Sequence, residues 1–153
     1  MSLSKNNKIL INKEIYDKQI TKKFIENLAK EILDFLDQKN VEIGITLTDN
    51  ETIQALNKEW RNKDKPTDVL SFPINEKPPE YKYYLLGDVV ISLPVAKRQA
   101  EKTGLTYKEE ILRLLIHGIL HLLGYDHEKS EKEAKIMFSL QDKIFENLRK
   151  NLN

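Results

Sequence analysis

The chain has 153 residues, the usual size of a single domain, and a chain of that length buries roughly two thirds of the surface its unfolded form exposes. Hydrophobic residues make up 40% and charged residues 32%, with a net charge of +1, which excludes a disordered class and confines any phosphate-binding surface to a local patch. Cysteine is absent, which fits a reducing compartment and excludes disulfides, thiolate zinc sites and a cysteine nucleophile. Any metal is therefore held by nitrogen and oxygen.

No apolar run approaches the roughly 20 residues of a membrane-spanning helix. The opening stretch MSLSKNNKILINKEIYDK has no uninterrupted apolar segment of signal-peptide length, so a cytoplasmic protein is expected. KILIN reads as a short strand. ITKKFIENLAKEILDFLDQ follows as an amphipathic helix, because Phe24, Leu28, Ile32, Phe35 and Leu36 recur at helical spacing. Val41 to Leu47 alternates apolar and polar residues, the mark of a half-buried strand. Asn50 offers a cap for a second helix, ETIQALNKEW, ending near Trp60. RNKDKPTD, polar and containing Pro66, is expected to be an exposed loop.

DVLSFPI and LLGDVVIS read as two further strands, joined irregularly through NEKPPEYKYY with its adjacent prolines. Pro94 suits the first turn of a short helix, VAKRQAEKT, which Gly104 stops. Thr106 with Glu109 forms a capping-box pattern ahead of a long helix through Leu123, and Gly124 is placed to end it. Ser130 with Glu133 repeats the pattern before a final helix reaching about Leu148. About four strands and five helices, without repeats or a separating linker, predict one α+β domain spanning 1–153.

The long helix carries the chemistry. Thr106, Glu110, Arg113, His117 and His121 fall within roughly 80° of one another around its axis, while leucine and isoleucine fill most of the remaining circumference. A helix of this kind is buried, with one narrow polar stripe. A lone histidine there would ordinarily be a hydrogen-bonded core residue. Here His117 and His121 stand one turn apart, and Gly124 can turn the chain back so that His127 reaches the same ion. HxxxHxxGxxH is the spacing of the extended zinc-protease motif HExxHxxGxxH without its glutamate. Three neutral ligands leave one tetrahedral position for water, whose pKa zinc brings to about 7. Gly118 has no side chain to act as the general base that the glutamate supplies, which disfavours peptide hydrolysis by that route and leaves the base unassigned. Asp126 is either a turn residue or an acceptor orienting a ligand histidine.

Hydrolysis of a phosphodiester builds negative charge that a nearby arginine would stabilise. Arg113 is one candidate, although a salt bridge to Glu110 is its simpler role. Arg61 is the other, with Lys63 and Lys65 beside it as a candidate phosphate clamp, although a charge run alone is more often a solvated loop. Trp60, Phe72, Tyr81, Tyr83 and Tyr84 could stack on unpaired bases but are assigned no role, since aromatics at such positions are more often core.

Taken together, WRNKDKPTDVLSFP, LLGDVVIS and HGILHLLGYDH resemble, in order and wording, the bacterial YbeY family of rRNA maturation factors, regarded as metal-dependent endoribonucleases. Glycine in place of the glutamate belongs to that family's own pattern. The resemblance implies that His117, His121 and His127 bind one zinc ion per chain, and that Arg61 lies in an active-site cleft. It further implies single-strand endoribonuclease activity in 16S rRNA 3′-end maturation and ribosome quality control, with the small ribosomal subunit or assembly factors as partners. Two other readings stand beside it: a metalloprotease-like hydrolase, and a non-catalytic assembly factor whose metal only fixes the helix and the following turn.

Overall fold

A computed structural model describes residues 6–152, so the first five residues of the stretch read for a leader lie outside it. Strand β1 (Lys8–Lys13) leads into helix α1 (Lys22–Phe35), which begins where the Thr21 hydroxyl accepts the Phe24 N–H. Ile25, Leu28, Ala29, Ile32 and Leu33 are its buried stripe. Strand β2 (Val41–Thr48) buries Val41, Ile43, Ile45 and Leu47, the alternation expected of one covered face. Helix α2 (Asn50–Arg61) follows.

At α2 the expected cap is corrected by one residue. The Asp49 carboxylate accepts the Thr52 N–H at 2.8 Å and caps the helix, while Asn50 becomes its first residue and accepts a hydrogen bond from the Ser92 hydroxyl. The other end also runs one residue further than Trp60. Asn62 adopts a left-handed conformation, φ 59°, so Arg61 is the last helical residue and not the first of the loop.

Strands β3 (Val69–Glu76) and β4 (Tyr84–Ser92) form an antiparallel pair, and β4 passes directly into helix α3 (Leu93–Thr103). Pro94 lies in the first turn of α3 and Gly104 ends it, as expected. Helix α4 (Tyr107–Leu122) starts with a complete capping box between Thr106 and Glu109, and helix α5 (Glu131–Leu148) starts where the Ser130 hydroxyl accepts the Glu133 N–H.

The strands lie in the order β1-β2-β4-β3, the first three parallel and β3 an antiparallel edge. Helix α4 packs across β3 and β4, with α3 and α5 beside it, and contributes Ile111, Leu112, Leu115, Ile116, Ile119 and Leu120 to the core. A smaller cluster of Ile53, Leu70 and Val90 places α2 against the opposite side of the same strands, because neighbouring residues of a strand face opposite ways. The result is an α+β domain of five helices and a four-stranded sheet, and the described residues contain no helix long and apolar enough to cross a membrane.

Candidate metal centre

Helix α4 ends in a turn that brings three imidazoles together. Gly124 has φ 100°, its N–H donates to the His121 carbonyl, and the Tyr125 N–H reaches back to the Leu120 carbonyl. This paired arrangement reverses the chain at a cost only glycine avoids. The Asp126 carboxylate accepts the Glu128 N–H at 2.8 Å and so braces the loop on either side of His127. The ring centroids lie 4.7 Å apart for His117 and His121, 5.3 Å for His117 and His127, and 5.2 Å for His121 and His127.

The donor set suits a metal ion. One nitrogen from each ring lies within 4.8 Å of the others, against about 3.3 Å between ligands bonded at 2.0–2.1 Å in a tetrahedral site, a difference within reach of ring rotation. Nδ1 of His127 is buried without a hydrogen-bond partner among the described residues, a state that the protein alone leaves unsatisfied. His117 is held differently. Its Nδ1 meets Oε1 of the buried Gln141 at 2.8 Å, which assigns the proton to Nδ1 and leaves Nε2 as the free donor atom.

The electrostatics favour neutral ligands. Burial pushes the His121 ring down to about 4, helped by the neighbouring His117 and His127 and opposed by Asp126. Burial also lowers His117, although its contact with Gln141 works the other way. Neutral imidazole is the form that binds a cation.

The histidines open onto a cavity of about 450 Å³. Arg61 and Lys63 line it too, with Asp68, Ser71 and Pro73 from the β3 side. Arg61 lies 3.9 Å from Glu128, beside the third histidine, and its side chain is 45% exposed. Lys65 is not part of the lining. Its carbonyl accepts a hydrogen bond from the side chain of the buried Asn57, which also accepts the Lys63 N–H through its own carbonyl and thereby shapes the cationic loop. Arg113 takes the simpler of its two roles, forming two hydrogen bonds of 2.9 and 2.6 Å with the fully buried carboxylate of Glu110. Gln99 bridges that carboxylate to Asp68.

Gly118 has a structural reason. A methyl group at this position would lie 2.7 Å from Val89 Cγ1, and the Gly118 carbonyl accepts the Ser71 hydroxyl at 3.1 Å. Helix α4 thus lies tightly on β3 and β4 at the one residue where the protease motif has its glutamate. Gln141, Asp68 and Ser71 are the residues at this site that sequence reasoning missed. They come from other elements, and nothing in their local sequence marks them.

Fold and site together define an α+β domain with a half-buried three-histidine centre beside a cationic rim. Residues 10–149 match the family model described as endoribonuclease YbeY. The chain is 70% identical to an endoribonuclease YbeY from Persephonella marina over 94% of both chains, and 45% identical to one from Aquifex aeolicus over 99% of this chain and all of the relative. The solution structure of TM1509 from Thermotoga maritima superposes with a TM-score of 0.64 at 32% identity, over 94% of this chain and 93% of that one. The chain belongs to the YbeY family.

Proposed function

We propose that this chain is a zinc-dependent endoribonuclease that cuts single-stranded RNA, acting in the cytoplasm in 16S rRNA 3′-end maturation and ribosome quality control. The observation that carries the reading is the shared cavity, which three convergent imidazoles line together with Arg61 and Lys63. The family name of the relatives supplies the RNA. The ribosomal role, with the small subunit or its assembly factors as partners, comes from the resemblance of the motifs.

His117, His121 and His127 would hold the ion, and all-nitrogen ligation by three imidazoles suits zinc. When bound, zinc supplies Lewis acidity and lowers the pKa of water at the site. The protein's own part is positional and electrostatic. Gln141 fixes the His117 ring through Nδ1, and the Asp126 turn fixes the strand of chain carrying His127. Arg61, only loosely engaged with Glu128, is free to take a phosphoryl oxygen, and Lys63 adds attraction for the backbone. Exposed pairs of this kind are weak, so a phosphate displaces Glu128 at little cost.

A protease reading is disfavoured on packing grounds as well as by missing chemistry. A side chain at position 118 would run into Val89 on the sheet side of α4, so the helix would have to shift to admit a carboxylate there. The test is cleavage of a labelled single-stranded RNA carrying the 16S rRNA 3′ precursor sequence by zinc-loaded protein. Cleavage is expected from the native chain and is expected to be lost, by at least about a hundredfold, in His117→Ala and to be weakened in Arg61→Ala. Intact RNA in the native reaction, or equal cutting by His117→Ala, would overturn the reading, and casein digestion that disappears in His121→Ala would replace it with the protease.

A further inference from the structure

The chain's only tryptophan, Trp60, stands in the last turn of α2 and leaves 64% of its surface exposed. An aromatic residue in an amphipathic helix is ordinarily core, which Trp60 is not. Its ring meets Phe72 of β3 with centroids 6.2 Å apart and 73° between the planes. That contact holds the ring in place without covering it, and Phe72 is itself anchored beside the Ile53, Leu70 and Val90 cluster.

The position of this ring relative to the metal centre is informative. Trp60 is followed directly by Arg61, and Arg61 and Lys63 both line the cavity that holds the histidines. Strand β3 is the edge of the sheet, with Pro73 lining the cavity and Phe72, its neighbour in sequence, meeting Trp60. The end of α2 therefore reaches around the sheet edge, with the tryptophan on one side, the histidines on the other and the arginine between.

We propose that Trp60 is a base-stacking platform: an unpaired nucleotide flanking the scissile phosphodiester lays its base on the open face of the indole, while Arg61 and Lys63 take the intervening phosphates. Stacking on an exposed aromatic needs a base whose own face is free, which a single strand offers and a duplex does not. The platform rests on the endoribonuclease reading and adds to it a physical reason for a single-strand preference. It is tolerant of base identity, because every base has a π-face.

A sole tryptophan makes the test direct. A 2′-O-methyl single-stranded oligonucleotide, which binds without being cut, is titrated into the full zinc-loaded chain, with binding followed independently by anisotropy of an end label. Saturable quenching of the Trp60 fluorescence is expected with the single strand and not with the same sequence as a duplex. Trp60→Ala is expected to weaken binding about tenfold, the change that a stacking contact of about 1.4 kcal/mol gives, and Trp60→Phe to restore most of it. Binding seen by anisotropy with unchanged fluorescence, or Trp60→Ala binding as tightly as the native chain with an unaltered melting curve, would overturn the platform and leave the endoribonuclease reading intact. Absence of any oligonucleotide binding would also overturn it, and the cleavage comparison with His117→Ala then judges the enzyme separately.

Discussion

Gln141 reaches His117 from helix α5, across the space between two helices, and its contact with Nδ1 decides which ring nitrogen is free. Gln141 is 4% exposed, so water has little access to its amide in place of the ring. A ligand histidine whose second nitrogen is unsupported is both misoriented and less basic. Gln141→Ala is therefore expected to weaken zinc binding about 10- to 100-fold, read by competition with a chromophoric chelator, with the fold retained by circular dichroism. An affinity equal to that of the native chain would show that His117 needs no such support. The three histidines and the glutamine that holds one of them differ in how they can be recognised. His117, His121 and His127 announce themselves through a spacing and a glycine, whereas Gln141 lies 24 residues from the ring it orients and carries no pattern of its own. Asp68 and Ser71 are hidden in the same way, because strand pairing and helix packing, not neighbours in sequence, bring them to the cavity.

At the level of the elements, helix α4 could be read almost completely because every signal that defines it is local. Its capping box, its apolar circumference and the turn at Gly124 all fall within a few residues of where they act. What the pattern does not contain is the reason for Gly118, since that depends on which strands the helix crosses and how closely. The contact with Val89 makes the glycine a requirement of helix-on-sheet packing. Gly118→Ala is expected to destabilise the chain by about 1–3 kcal/mol, measured by urea unfolding, because the added methyl forces helix and strand apart. Val89→Ala also destabilises alone, by removing buried methyl groups. In the double variant the two changes share one space, so their costs are expected to sum to less than additive. Strict additivity would mean that the two residues do not touch and that the glycine answers to something else.

For the whole molecule, the arrangement of strands lay beyond reach of pattern. Four strands are evident, but β4 sits between β2 and β3, and only the three-dimensional structure sets the end of α2 at the sheet edge, with Arg61 between Trp60 and the histidines. The start of α4 is tied to distant parts of the chain. The Tyr107 hydroxyl donates to Asp17 at 2.8 Å, and Arg149 donates to Glu109 at 2.6 Å. These polar ties and the half-buried histidines respond to acid in different ranges. Asp17 is opposed by burial but held below its usual value of 3.8 by the Ile20 and Gln19 N–H groups and the Tyr107 hydroxyl. Its contribution is complete above that value and is lost as pH falls below it. His121 is also depressed, from 6.5 to about 4, so the unfolded chain takes up its proton first. Stability from the neutral ring is complete above about 6.5 and declines as pH falls from there through about 4. Melting of the chelator-treated chain is thus expected to weaken in two stages, the earlier one reduced in His121→Asn and the later one reduced in Tyr107→Phe. Zinc competes with protons for the nitrogens of the folded rings, so the rise in melting temperature that it produces at pH 7.5 is expected to shrink as pH falls through about 4, where the folded His121 ring takes up its proton. A zinc-induced rise that persists undiminished well below that value would place the ion somewhere other than on His117, His121 and His127.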